Sequence, residues 1–115
     1  MQPIDATFAA LADPTRRAVV TLLSRGPQLP SGLAQALATS RPAISRHLRV
    51  LRGAGLVTET VQASDARQRL YELRQEPFVE LKGWLDEVEG FWADQLNAFK
   101  QHAERGRLPP KRRVR

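Results

Sequence analysis

Residues 40–57 read SRPAISRHLRVLRGAGLV, with serine and proline near one end and two glycines near the other. Between these ends, Ile44, Leu48 and Leu51 recur at the spacing of a single helical face. Ser40 is a favourable N-cap, and proline is tolerated in a first turn because the N–H groups there have no helical partner. The glycines end the apolar pattern. The segment therefore predicts one helix that buries one face.

The face of this helix opposite the apolar residues is basic. At about 100° per residue, Pro42, Arg46 and Arg49 point away from the apolar face. Ser45 and Arg52 flank them. The twenty residues around this helix contain four arginines and no acid. Such a local concentration of positive charge indicates a polyanion as partner more strongly than the net charge of the whole chain does.

Charge is unevenly distributed along the chain, which has 115 residues, a net charge of +6 and no cysteine. Residues 75–104 contain seven acids against two lysines, whereas residues 105–115 contain six basic residues and no acid. We expect one domain over residues 1–104 and a basic, disordered tail over residues 105–115. The absence of cysteine excludes a disulfide scaffold and a thiolate metal site.

Three short helices are predicted before the basic helix. Apolar residues recur at helical spacing over residues 4–12. Asp13 and Pro14 are suited to the N-cap and first position of a second helix, over residues 14–24. A third helix is predicted over residues 31–38, so the basic helix is the fourth.

A hairpin and a long helix are predicted after the basic helix. Residues 56–61 are rich in β-branched side chains, and residues 68–73 alternate polar and apolar. The polar residues 62–67 contain no tight-turn pair such as Asn-Gly, and we expect them to form a long, flexible loop. Pro77 then opens a long amphipathic helix over residues 77–104, about 40 Å at 1.5 Å per residue.

The predicted order is therefore α-α-α-α-β-β-α, a mainly α fold with a small β-hairpin (α+β). Two short helices joined by a tight turn, the second of them basic, followed by a hairpin, describe a winged helix-turn-helix. In this arrangement the basic helix can enter the major groove of DNA. The hairpin, or wing, can then contact the adjacent backbone or the minor groove.

Residues 8–17, FAALADPTRR, together with residues 40–57, resemble the ArsR family of small bacterial winged-helix repressors. The resemblance covers about residues 4–100. It implies a homodimer that binds a palindromic operator in double-stranded DNA and blocks transcription. It also implies a dimer interface made by the first and last helices. The predicted interface residues are Phe8, Leu11, Trp84, Val88, Phe91 and Trp92.

The residues predicted to contact DNA lie on the basic helix and in the hairpin. Arginine can bind guanine through two hydrogen bonds, and serine can bind a base or a phosphate. Arg46 and Arg49 are the strongest candidates because they point furthest from the apolar face. The full predicted set is Ser40, Arg41, Pro42, Ser45, Arg46, His47, Arg49, Arg67 and Arg69.

Several roles stay open on the residues alone. Ser40 is a cap that could also touch a phosphate, and His47 is either structural or a phosphate contact. The two hairpin arginines could instead lie in a flexible surface loop. Arg16 and Arg17 could reach the backbone or pair with acids. The aromatic residues of the last helix could bind a small ligand instead of forming an interface, and the basic tail could add non-specific DNA affinity or be dispensable.

Metal sensing and cofactors are not predicted. Family members that sense metals use cysteines on the third helix, or histidine and carboxylates on the last one. Here the third helix has one serine as its only ligand type, and the chain contains only His47 and His102. Zinc and similar ions need several nitrogen or sulfur ligands at set spacing. The sequence therefore resembles the metal-free branch of the family.

Other classes of function have less support from the sequence. It contains no glycine-rich phosphate loop, paired-histidine motif or nucleophile elbow, so an enzyme is not expected. An interaction module that has lost DNA binding is the alternative, and the basic helix argues against it. No apolar stretch has the length of a membrane span and no signal peptide is recognised, so we expect a cytoplasmic protein with no membrane partner. The residues identify neither the operator sequence nor an inducer.

Overall fold

The computed structural model describes residues 2–62 and 64–105, and its elements follow the predicted order. They are α1 (Pro3–Leu11), α2 (Pro14–Leu23), α3 (Pro30–Ala36), α4 (Arg41–Gly53), β1 (Val57–Gln62), β2 (Asp65–Leu73) and α5 (Gln75–Arg105). The strands pair antiparallel in a two-stranded sheet. The chain divides into two units, one ending at Leu81 and one beginning at Lys82. The predicted winged helix-turn-helix is confirmed.

The predicted helix starts are confirmed at α2 and α4. Asp13 caps α2 by accepting the N–H of Arg16 at 3.0 Å. Ser40 caps α4 by accepting the N–H of Ala43 at 3.2 Å. Both helices also carry proline in the first turn, where no helical N–H is lost. Local chemistry therefore sets where the basic helix begins.

The core of the first unit lies against the apolar face of α4. All three residues predicted for that face are buried. Full burial of such a side chain contributes roughly 1.5–3 kcal/mol relative to exposure. This burial holds one face of α4 against the core and leaves the opposite face to solvent. The buried hydrophobic residues are Ala10, Val19, Leu23, Leu33, Ala34, Ile44, Leu48, Leu51, Leu56 and Val57.

The turn between α3 and α4 is made at Ala38, whose φ is +52°. The N–H of Thr39 donates to the carbonyl of Ala34 at 3.0 Å and closes the end of α3. α3 therefore stops at Ala36, two residues before the predicted end, because a residue in the left-handed region does not continue a helix. This turn places α4 as the second helix of the helix-turn-helix.

Replacing Ala38 with glycine is expected to raise the free energy of unfolding by about 0.5–1 kcal/mol, because glycine adopts positive φ without the steric cost of a Cβ. Thermal unfolding followed by circular dichroism, at equal protein concentrations, measures the change. Ala18→Gly in the middle of α2 is the matched control and should lower the free energy of unfolding by about 1 kcal/mol. A destabilised Ala38→Gly protein would contradict the prediction.

The prediction of a long loop in the hairpin is wrong. β1 continues to Gln62 and β2 begins at Asp65, and these two residues are paired. The register shifts between Val61, which pairs with Arg69, and Gln62, which pairs with Asp65, so the irregularity accommodates three additional residues of β2, residues 66–68. The loop prediction failed because polar residues in an exposed hairpin can pair through the backbone without any apolar alternation. Arg67 consequently lies on a strand.

The last helix begins earlier than predicted and extends one residue further. α5 starts at Gln75, so that Pro77 lies within its first turn instead of opening it. It ends at Arg105, the residue at which the tail was predicted to begin. The rest of the predicted tail, residues 106–115, lies outside the described residues.

Candidate nucleic-acid interface

The exposed face of α4 carries the predicted DNA-binding residues. Arg46 and Arg49 are exposed on the side opposite the buried apolar residues, and Ser45 is exposed beside them. Arg41 and Pro42 are exposed at the start of the helix. The N-terminal end of a helix is also its positive end, so it favours a nearby phosphate. The helix therefore presents a cationic surface to solvent.

A cleft of about 280 Å³ opens between the start of α3, α4 and β2. Arg41 and Ser45 line it from α4, and Arg67 and Arg69 line it from β2. None of the described residues that line the cleft is acidic. The fold thus brings together four predicted DNA-binding residues from two distant segments. Their guanidinium and hydroxyl groups are suited to a phosphate.

The wing arginine Arg67 has a local acidic partner. Its Nε lies 3.4 Å from Oδ1 of Asp65, and the same oxygen accepts the backbone N–H of Arg67 at 3.0 Å. The Arg67 side chain is almost fully exposed, so this ion pair contributes little to stability. Arg67 can therefore exchange Asp65 for a phosphate at small cost.

Arg52, near the end of α4, has an acidic partner in the fold, although no acid lies near it in the sequence. Its Nη1 lies 2.8 Å from Oε1 of Glu59 on β1. Oε2 of Glu59 accepts the hydroxyl of Tyr71 on β2 at 2.5 Å. Burial, and then this hydrogen bond to the carboxylate, raise the pKa of Tyr71 to about 12, so its hydroxyl stays protonated and donates. The fold thus compensates one of the four arginine charges.

His47 lies against the start of α2. Its side chain is 22% exposed, and its Nδ1 is 4.0 Å from Oδ2 of Asp13. The same nitrogen lies 3.5 Å from Nη1 of Arg16. The hydrogen bond from the backbone N–H of Arg16 lowers the pKa of Asp13, burial opposes this, and the electrostatic interaction with His47 adds to the lowering. These contacts favour the structural role that the sequence left open for His47.

Two arginines that the sequence left unassigned cap the end of α1. Nε of Arg16 donates to the carbonyl of Ala10 at 2.6 Å. Nη1 of Arg17 donates to the carbonyl of Leu11 at 2.8 Å. The last carbonyls of a helix have no internal partner, and cations there also complement the helix dipole. The sequence signal for this capping role was the presence of two basic residues shortly after the end of a predicted helix.

Within the second unit, α5 presents aromatic side chains to solvent. Phe91 and Trp92 are 60% and 59% exposed, and Trp84 is also exposed. The rings of Phe91 and Trp92 meet edge to face, with centroids 6.5 Å apart. Val88 is partly exposed, and no residue of α5 is buried. Exposed apolar surface of this extent is typical of an interaction site.

The two α1 residues predicted for the dimer interface differ in exposure. Phe8 is an exposed large hydrophobic residue. Leu11 packs partly buried against the core of the first unit. Leu11 therefore contributes to the packing of the chain itself, whatever further contact it makes.

Over residues 2–62 and 64–105, no three histidine or acidic side chains lie close enough to hold a metal ion. No helix within those ranges combines the length and apolar character needed to cross a membrane.

The helix-turn-helix with its exposed basic helix and wing defines a class of DNA-binding protein, and comparisons with known proteins agree. A family described as a helix-turn-helix domain matches residues 11–60. The HTH-type transcriptional regulator Rv2034 of Mycobacterium tuberculosis is 39% identical over 97 residues, which cover 84% of this chain and 85% of that protein. The transcriptional repressor SdpR of Bacillus subtilis is 36% identical over 52 residues, 45% of this chain and 58% of that protein.

A solved structure has the same architecture. The crystal structure of an ArsR family transcriptional regulator aligns with a TM-score of 0.70 and 36% identity, over 80% of this chain and 98% of that one. The chain belongs to the ArsR family of winged helix-turn-helix transcriptional regulators. It is a DNA-binding regulator of transcription and not an enzyme.

Proposed function

We propose that this protein is a homodimeric repressor that binds a palindromic operator. In this proposal α4 enters the major groove and the wing lies on the adjacent backbone or minor groove. The observation that carries the proposal is the exposed cationic face of α4, opposite its buried apolar face. A major groove admits one α-helix, and the N-terminal turns of that helix reach the base edges.

We assign base contacts to the residues that project furthest from the core. Arg46 and Arg49 are the proposed base-reading residues, with Ser45 beside them. Arginine pairs with the two acceptors of guanine in the major groove. Pro42 lies in the first turn, where the helix would approach the groove wall. These contacts would give the protein its sequence preference.

We assign phosphate contacts to the cleft and to the start of α4. Arg41, Arg67 and Arg69 line or flank the cleft, and a phosphate there would meet positive charge from α4 and β2. Ser40 already caps α4, so a phosphate contact by it would be additional. We assign His47 to holding α4 against α2, because its ring faces Asp13 and Arg16. Backbone contacts of this kind position the helix without reading sequence.

We propose that a second copy of the chain covers the aromatic face of α5. Trp84, Val88, Phe91 and Trp92 recur at the spacing of a helix seam and would pack on the same residues of the partner. Phe8 and Leu11 are the proposed contribution of α1. A two-fold dimer would explain a palindromic operator, because each protomer would bind one half-site. Residues 1–104 would then form the DNA-binding and dimerisation domain, followed by the basic tail.

The proposed repressor role has support from relatives. SdpR, which matches about half of this chain, is named a transcriptional repressor. The name of Rv2034, a transcriptional regulator, specifies neither repression nor activation. A dimer seated across a promoter would block the access of the polymerase and so repress transcription.

DNA binding across a salt series tests the proposal. The probes are the segment immediately upstream of the protein's own gene and a scrambled duplex of equal composition. At about 150 mM salt, we expect the upstream segment to bind more than roughly 10³-fold tighter than the scrambled duplex. Equally weak, steeply salt-dependent binding to both would show that only charge is engaged. That result would contradict an operator beside the gene. It would favour the alternative hypothesis of an interaction module that has lost specific DNA binding.

A further inference from the structure

Arg52, on α4, forms an ion pair with an acidic side chain of the wing. Its Nη1 lies 2.8 Å from Oε1 of Glu59. The Arg52 side chain is 57% exposed, whereas that of Glu59 is 20% exposed. Glu59 is therefore the fixed partner, and Arg52 is a long side chain that could turn to solvent if it were released.

Tyr71 fixes the carboxylate of Glu59. The tyrosine hydroxyl donates to Oε2 of Glu59 at 2.5 Å. The Tyr71 backbone is itself anchored, because its N–H and carbonyl each form a 2.9 Å hydrogen bond with Gln28 in the segment between α2 and α3. The carboxylate is thus tied to the wing, and the wing to the body of the first unit.

Arg52 also lies beside the residues proposed to contact DNA. A cavity of about 270 Å³ is lined by Ser45, Arg49, Arg52 and Tyr71, together with Leu48. A released Arg52 guanidinium would therefore lie beside the base-reading Arg49, where it could contact the adjacent DNA backbone. A free cation at this position would bind any phosphate, whatever the sequence.

We propose that Glu59 is a specificity-determining residue, which withholds Arg52 from DNA by holding it in an ion pair on the wing. This inference rests on the proposed DNA-binding function. A released Arg52 could contact a phosphate at any sequence, whereas operator binding also needs the wing aligned with α4, so release would strengthen non-specific binding more than specific binding. The genome offers a large excess of non-specific sites. An acid that removes one cation from the interface therefore lowers occupancy of wrong sites. It also aligns the wing with α4, so specific contacts are kept.

The test is Glu59→Gln, measured on scrambled duplex over 50–300 mM salt. Glutamine keeps an acceptor for Tyr71 but releases the charge of Arg52. We expect the slope of log K against log salt to steepen by about 0.9 per protomer. We expect non-specific affinity to rise roughly fivefold at low salt and the specificity ratio to fall. Because the ion pair is exposed on the arginine side, the fold should be retained, which circular dichroism checks.

Two further variants make the test specific. Glu72→Gln removes an exposed acid from β2 and raises net charge equally, and its slope should equal that of the wild type. The double variant Arg52→Gln, Glu59→Gln should also return to the wild-type slope. Three results would each overturn the inference. The double variant could keep the steep slope, its slope could fall below that of the wild type, or Glu59→Gln and Glu72→Gln could have equal slopes. Failure of the proposed function would be detected separately, by measuring the binding of the wild-type protein to the upstream DNA segment.

Discussion

A protein carrying Arg46→Ala and Arg49→Ala is expected to lose operator-specific binding while keeping its fold. Each arginine that binds a guanine through two hydrogen bonds contributes about 1–3 kcal/mol of discrimination. Losing both would weaken specific binding by roughly 2–6 kcal/mol, which is about thirtyfold to twenty-thousandfold. Both side chains are exposed and alanine is a strong helix former, so the thermal unfolding midpoint should stay within a few degrees of wild type.

The matched control removes the same charge elsewhere. Arg25 lies exposed after α2, and Arg74 pairs with Glu76 at 3.6 Å outside the interface. The Arg25→Ala, Arg74→Ala protein should keep its specificity ratio within about twofold, because neither residue would contact a base. Fluorescence anisotropy with operator and scrambled duplexes measures all three proteins. Unchanged specific affinity in the Arg46, Arg49 variant would refute the assignment of the base-reading residues.

Placing a charge at Trp92 is expected to separate the protomers. Trp92 is 59% exposed and meets Phe91 edge to face on α5. Aromatic residues at the centre of an interface commonly contribute 2 kcal/mol or more, about thirtyfold in dissociation constant. Trp92→Glu both removes this ring and buries a carboxylate. Sedimentation velocity should show a wild-type particle of twice the 12.9 kDa chain mass and a monomeric variant.

The opposite side of the same helix supplies the control. Asn97 is exposed, and at 100° per residue it lies about 120° or more around the helix from Trp84, Val88, Phe91 and Trp92. Asn97→Glu should remain dimeric. The monomeric Trp92→Glu protein should also lose affinity for the two-half-site operator, because the second half-site no longer binds as part of one molecule. A monomeric wild type, or a Trp92→Glu protein with the wild-type mass, would contradict the proposed interface.

Much of the fold follows from short-range patterns. The α4 helix was predicted with its cap, its apolar face and its end, because each depends on residues within a few positions of one another. The order of elements followed from the same kind of pattern. The hairpin loop was predicted wrongly because backbone pairing of polar residues leaves no periodic signal. The early end of α3 was missed because alanine at positive φ is uncommon and has no distinguishing neighbour.

The sequence by itself determined the class of protein: a winged helix-turn-helix with a basic fourth helix and the motifs of the ArsR family. Only the tertiary structure decided which charged side chains of the basic helix meet a partner from another element. It joined Arg52 to Glu59 and Tyr71, set His47 against Asp13, and formed one cleft from α4 and β2. These contacts depend on where separate elements meet. Helical periodicity and capping report the surroundings of a residue along the chain, whereas an ion pair depends on its neighbours in space.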